Sequence, residues 1–230
     1  MQGSEVEAAP DAPDTAPNTR LSQSEQAYRR LKGDIVALRL KPGDPISEAR
    51  LCAELRIGRT PVNQALHRLA HENLVHILPR KGVLVQPLSM DEFSDIAAAR
   101  RLIEPVCAAL AATRLSAAEL TDLERLCAAE ADVPDDLDAI LAHDRRLHDL
   151  IAAGSRNRIY AEILSGLHDR SARFWALSLS TGSHRAEVRD EHARLCACLT
   201  RRDASGAQAA MEAHIDSFRV TLTGQVGAAG

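Results

Sequence analysis

The stretch RIGRTPVNQALHRLAHENLVHILPRKGVLV, Arg56 to Val85, decides how the first part of the chain is read. Thr60 can cap a helix, and Pro61 suits a first helical position, where a missing N–H leaves nothing unsatisfied. Val62, Ala65, Leu66 and Leu69 then recur on one helical face. Two β-like runs follow, Val75 to Leu78 and Val83 to Val85, joined by Pro79-Arg80-Lys81-Gly82. Upstream, Arg56-Ile57-Gly58 is a tight connection to a short helix capped by Ser47 and ending at Leu55. Pro42-Gly43-Asp44 is a turn, and before it Ala27, Leu31, Ile35 and Leu38 predict a helix from Ser22 to Leu38. Helix, helix, tight turn, helix, β-hairpin is the order of a winged helix-turn-helix. Pattern alone also admits a plain helical hairpin with a solvated polar face.

After Pro87 the apolar spacing is helical almost to the end. Ser89 with Glu92 and Ser116 with Glu119 are two capping boxes. Helices are predicted near 90–114, 116–130, 136–153, 156–178, 184–201 and 204–223, packed as an antiparallel bundle. The expected fold is thus mainly α. A disordered acidic tail spans 1–19, a winged helix-turn-helix 20–87, a helical effector-binding and dimerisation domain 88–223, and a flexible end 224–230.

Charge supports this division. The 230 residues carry a net charge of -4, which argues against a nucleic-acid partner. The average conceals a reversal: residues 20–87 hold 12 Lys and Arg against 6 Asp and Glu, while both flanking segments are acidic. A basic module inside an acidic chain is the electrostatic footprint of nucleic-acid binding. No apolar run is long enough to span a bilayer, and the acidic, Pro-rich N-terminus does not read as a secretory signal. Five scattered cysteines predict neither a disulfide framework nor a cysteine zinc site, and Cys196 and Cys198 cannot face one site together. The expected location is a reducing cytoplasm.

In the basic module, Arg59, Thr60, Asn63, Gln64 and Arg68 surround the polar side of the third helix, with His67 among them. Short side chains near a helix start let it approach base edges, and Arg, Asn and Gln make bidentate bonds there. Arg59 reads a guanine or holds a phosphate, and Asn63 and Gln64 suit an adenine. Arg50 on the preceding helix joins this set, as do Arg80, Lys81 and Gly82 at the wing tip, where Gly82 permits a tight turn.

In the second half, Asp144 and His148 are four apart and share a helix face. His192 and His214 lie on later helices. Carboxylate and imidazole suit a divalent metal: zinc first, with nickel or manganese as alternatives. Spacing alone equally allows a chance acid–histidine pair in a chain with nine histidines. His67, His71, His76, His143, His168 and His184 are read as surface or packing residues, and Phe174 and Trp175 as bundle packing.

Ile46-Ser47-Glu48, Gly58-Arg59-Thr60-Pro61-Val62, Ala65-Leu66, Glu72-Asn73-Leu74-Val75 and Pro79-Arg80-Lys81-Gly82 resemble the N-terminal domain of GntR-family bacterial transcription regulators. Ala49, Gly58 and Asn63-Gln64 depart from that pattern, which puts an operator borrowed from relatives in doubt. Residues 89–220 resemble the FCD effector domain of the FadR-type branch, through Arg100-Arg101-Leu102-Ile103-Glu104, Asp144 with His148, Gly154-Ser155 with Asn157, Glu191-His192 and Met211 with His214. The resemblance implies that Asp144, His148, His192 and His214 hold a metal, which binds the carboxylate of a small organic acid. Arg100 or Arg101 is expected to make a second carboxylate contact. Asn157 either closes the pocket or caps a helix.

The expectation is a ligand-responsive DNA-binding regulator and repressor, a homodimer on a palindromic double-stranded operator. Two alternatives remain: a metal-dependent, hydrolase-like enzyme, and a sensor of the metal ion itself.

Overall fold

A computed structural model describes residues 21–179 and 184–228; the expected acidic tail and His184's side chain lie outside what it describes. Helix α1 (Gln23–Val36) starts where the Ser22 hydroxyl accepts from the Glu25 N–H at 3.1 Å. It buries Ala27, Leu31 and Ile35 and stops short of the expected Leu38, which sits at φ 56°. The short strand β1 (Pro45–Ile46) was not expected from the sequence. It lies on an edge, where a proline's missing N–H removes no needed bond. Ser47 caps α2 (Glu48–Leu55) as read.

Helix α3 (Arg59–His71) corrects one detail. Its N-cap is Gly58, so Thr60 lies inside the first turn and Pro61 is the third helical residue. Proline fits there equally well, because first-turn N–H groups have no partner within the helix. Strands β2 (Val75–Leu78) and β3 (Gly82–Val85) form the hairpin, paired Val75 to Val85 and Leu78 to Gly82. The sheet order is β1-β3-β2. Gly82 turns the wing at φ 100°, a region other residues adopt only with strain. One core of Leu31, Ile35, Val62, Leu66, Leu69, Leu74 and Val85 joins helices to wing.

The second unit contains α4 (Met90–Arg114), α5 (Ala117–Ala129), a 3-10 turn at Glu130–Asp132, α6 (Leu137–Gly154), α7 (Arg158–Leu179), α8 (His184–Thr200) and α9 (Ala204–Ala228). Ser116 and Glu119 form the full capping box. At α4 only half of it forms: Ser89 caps, but Glu92 turns to Arg170 at 2.8 Å. Helix α9 runs past the expected end at 223, because Gly224 weakens a helix without breaking it. Gly154 ends α6 against Leu115, where an added Cβ would lie 2.7 Å from a Leu115 methyl. A main core gathers Ala108, Leu123, Leu147, Ile151, Leu195, Leu199 and Met211.

Cysteine pairing differs from expectation: Cys127 on α5 and Cys196 on α8 form a disulfide. Linear spacing does not reveal which helices lie side by side, and these two do. Cys198 remains free.

The two units touch. Val36, Ala37 and Leu38 pack into a cluster with Phe93, Leu141, Phe174, Trp175 and Phe218. Lys32 on α1 lies 2.5 Å from Asp169 on α7, and Arg39 lies 2.6 Å from Asp138 on α6. The buried guanidinium of Arg173 donates to the Gln86 carbonyl at the end of the wing.

Candidate metal centre and DNA-reading face

Helices α4, α6, α8 and α9 bring one polar group to the middle of an otherwise apolar bundle. Asp144 and His148 project from α6, His192 from α8 and His214 from α9. One ligand-type atom from each lies within 4.8 Å of the others. His148 Nε2 is 3.8 Å and His192 Nε2 3.6 Å from Asp144 Oδ1. These three histidines are buried.

What orients them lies one shell out. His148 Nδ1 is 2.7 Å from Glu104, His192 Nδ1 2.7 Å from Glu130, and His214 Nδ1 2.9 Å from Glu191. With Nδ1 held by a carboxylate, His148 and His192 turn Nε2 toward Asp144. Metal-binding histidines are held in this way. The Nε2 atoms of His148 and His192 are buried without a hydrogen-bond partner among the described residues. A buried polar atom left unpaired is costly, and a metal ion at this point would satisfy both. The donor set of three imidazoles and a carboxylate with an open side suits zinc, nickel or manganese.

The electrostatics agree. Burial strongly disfavours charge on His214 and pulls its pKa down to about 4, so its imidazole is neutral and available. Burial alone would raise Asp144, but His148, His192 and His214 around it hold its pKa below the usual value. His192 is also penalised by burial, yet the Glu130 hydrogen bond and Asp144 carry its pKa upward.

Glu104 has a double role. Burial opposes its charge, but Arg100, His168 and His148 hold its pKa well below the ordinary range. Arg100 is buried, paired with Glu104, and donates to Ser171 at 3.2 Å. His168 is not a surface or simple packing residue: it lies buried against Glu104 at 3.0 Å. Glu104 with His148 and His168 forms a second cluster of ligand type, but the Arg100 guanidinium already shares that carboxylate.

A cavity of about 790 Å³ opens beside the cluster. Asp144, His214, Arg100 and His168 line one part, and Arg145, Asp169, Trp175 and Phe218 line another. Arg29, Lys32, Gly33 and Val36 of α1, with Ala37 just after it, close it from the other unit.

The structure separates the two arginines that the sequence left as alternatives. Arg100 lines the cavity, whereas Arg101 points away and pairs with Glu212 at 3.1 Å and Asp216 at 3.2 Å. Asn157 lies outside the cavity lining. Its side chain accepts from the Ile159 and Tyr160 N–H groups and caps α7. Glu130 escaped sequence reading, and Glu191 and His168 were read without their roles here, because helix packing rather than chain spacing brings them to the site.

On the first unit, Arg59, Thr60, Asn63 and Gln64 are exposed on one side of α3, opposite buried Val62, Ala65, Leu66 and Leu69. Arg80 and Lys81 are exposed at the wing tip. Arg50 is exposed and paired with Glu54 at 2.6 Å. Arg68 is differently placed: its guanidinium lies 3.5 Å from the Tyr28 ring centre and 2.8 Å from Glu25. It ties α3 to α1 while its side chain stays 51% exposed, whereas the other exposed candidates lie on the first two turns of α3 and on the wing.

A model of the FCD domain matches residues 95–217, and a model of bacterial regulatory proteins of the gntR family matches residues 23–85. The chain is 28% identical over 205 residues to the HTH-type transcriptional repressor GlaR of Escherichia coli, covering 84% of this chain and 92% of that one. It is 26% identical over 197 residues to the repressor RspR of the same bacterium, covering 85% and 86%. The structure of E. coli McbR/YncC superposes with a TM-score of 0.77 at 24% identity, covering 90% of this chain and 100% of that one, which establishes the likeness of fold. No described helix is long and apolar enough to cross a membrane. The curated relatives are transcription regulators rather than enzymes, and the chain belongs to the GntR family of bacterial transcription regulators, with an FCD domain as its effector half.

Proposed function

We propose that this regulator represses transcription as a homodimer on a palindromic operator and senses a small carboxylic acid at a divalent metal held by Asp144, His148, His192 and His214. The observation that carries the reading is the grouping of three histidines with Asp144, each histidine held at Nδ1 by its own carboxylate, beside a cavity large enough for a small acid. The metal supplies a Lewis-acidic position for the acid's carboxylate. The surrounding residues shape the rest. Arg100 keeps Glu104 ionised, Glu104 orients His148 and His168, and Trp175 and Phe218 cover the apolar part of the acid. The acid switches the protein only by binding one arrangement of the two domains better than the other.

Apolar side chains on the outside support the dimer. Leu102 is 77% exposed and Val106 40% on α4, while Ile159 is 62% and Ile163 44% exposed on α7. Ile103 and Cys107 of α4 pack against Tyr160 and Leu164 of α7, which puts these exposed neighbours on the same helix pair. Two-fold pairing of that face sets two α3 helices into successive major grooves.

The test is a titration of promoter DNA binding in the presence of zinc, then chelator, then a library of small carboxylic acids with zinc restored. The reading expects an acid-dependent change that chelator abolishes. A response to metal with no response to any acid makes the ion itself the effector. In sedimentation, Leu102→Glu with Ile159→Glu is expected to convert dimer to monomer.

A further inference from the structure

The cavity is not a property of the FCD domain alone: four of its lining residues belong to α1 of the DNA-binding domain, and a fifth, Ala37, follows it directly. Lys32 is the one whose chemistry matters. Its ammonium lies 2.5 Å from Asp169, 2.9 Å from Glu72 and 2.7 Å from the Tyr28 hydroxyl. Asp169 belongs to the pocket wall, whereas Glu72 is the C-cap of the reading helix α3. Tyr28 also donates to Glu72 at 2.8 Å and carries Arg68 of α3 on its ring. One ammonium therefore joins the pocket to the end of the helix that reads DNA.

Asp169 holds two cations at once, Lys32 on one oxygen and Arg145 on the other at 2.6 Å. A carboxylate that bridges two cations at a cavity wall occupies the position that an anionic ligand group would take. Glu104, a buried carboxylate behind the lining residues Arg100 and His168, is fixed by Arg100, His148 and His168 and is 2% exposed. Asp169 is more accessible, and so are its partners, with Lys32 at 21% and Arg145 at 30% side-chain exposure. Of the two, Asp169 is the one that can yield.

We infer that Lys32, with Arg145, receives a second anionic group of the effector in exchange for Asp169, so that the pocket prefers diacids and reports its occupancy to α3 through Glu72. The inference rests on the acid-sensing reading above. It assigns an effector-binding role to a residue of the DNA-binding domain. The exchange needs no net change of charge at the pair, since one carboxylate replaces another. It frees Asp169 from α1 while Lys32 keeps its bonds to Glu72 and Tyr28, which ties the position of α1 to the ligand instead of to α7.

The experiment uses the full-length, zinc-loaded protein and calorimetric titration with matched straight-chain acids, butyrate against succinate and hexanoate against adipate. Wild type is expected to prefer the diacid. Lys32→Met is expected to weaken the diacid relative to the matched monoacid by about tenfold or more, the worth of a charged hydrogen bond. Lys32→Arg should retain the preference. Asp169→Asn removes the internal competitor and should tighten the diacid. A purely structural Lys32–Asp169 pair predicts the opposite: both variants then shift binding in the same direction. That result overturns the inference, as does a diacid preference that survives in Lys32→Met. Monoacid binding with no diacid preference overturns it while sparing the acid-sensing reading, and absence of binding by any acid overturns both. Amide exchange supplies a second readout. The diacid should change protection in α3 of the wild type and not of Lys32→Met.

Discussion

Glu130 holds Nδ1 of His192 at 2.7 Å and so leaves Nε2 facing Asp144 at 3.6 Å. The two residues stand on different elements, the turn after α5 and the middle of α8. Glu130→Gln keeps the size of the side chain but weakens its grip on the imidazole. Outer-shell changes of this kind lower metal affinity by about 10- to 100-fold. We expect that loss in competition with a chelating dye. The pair His148→Ala and His192→Ala should abolish binding, and a variant that still holds one metal per chain by elemental analysis would remove these residues from the ligand set.

Acidification should destabilise the metal-free protein. Burial lowers the pKa of His214 to about 4, against an ordinary value near 6.5. Between those values the unfolded chain binds a proton that the folded one refuses, so stability rises with pH across the window and falls as pH drops through it. His168, also lowered by burial, adds in the same direction, while His192, raised by Glu130 and Asp144, opposes it. Thermal unfolding in chelator from pH 7 to pH 4 should show a loss that is smaller in His214→Asn.

The reading face makes a graded prediction. Arg59→Ala should abolish specific DNA binding while leaving the helical circular dichroism intact. Replacing Arg80 and Lys81 by Ala should weaken binding to all sequences and lower the salt slope by about 2, one for each lost phosphate contact. Arg68→Ala should act through stability instead, because its partners are Tyr28, Glu25 and Glu72. A changed base preference in that variant would return Arg68 to the reading face.

The Cys127–Cys196 bond closes a loop with a sequence separation of 69 residues. By loop entropy such a cross-link contributes about 4 kcal/mol. Reduction should therefore lower the melting temperature by roughly 10 °C in a chain of this length. An unchanged melting temperature on reduction, with the thiol count verified by mass spectrometry, would contradict this.

Much of the architecture was legible because it is local. Caps at Ser47, Ser89 and Ser116, the apolar face of α3 and the glycine of the wing all act within a few residues. Asp144 and His148 were legible for the same reason, being one turn apart. His192 and His214 entered through resemblance to the family, and the packing of α6, α8 and α9 brings all four together. Glu130, Glu191 and His168 carry no local signature, since each gains its meaning from a neighbour on another helix. The same holds for Cys127 with Cys196. Thr60 shows the limit even of local rules: it is a good cap by type, but Gly58 precedes a helix that begins two residues sooner. Arg68 has the right type and face for reading DNA, and its stacking on an aromatic ring of α1 was not visible in the sequence.

The α1 wall of the cavity has a consequence for how such proteins can be recombined. A chimaera that grafts a foreign DNA-binding head onto this FCD domain replaces Arg29, Lys32, Gly33, Val36 and Ala37 along with the reading helix. Its chemical selectivity should change together with its operator. The two halves are not independent cassettes, and engineered sensors built from them need to keep α1 with the pocket rather than with the DNA.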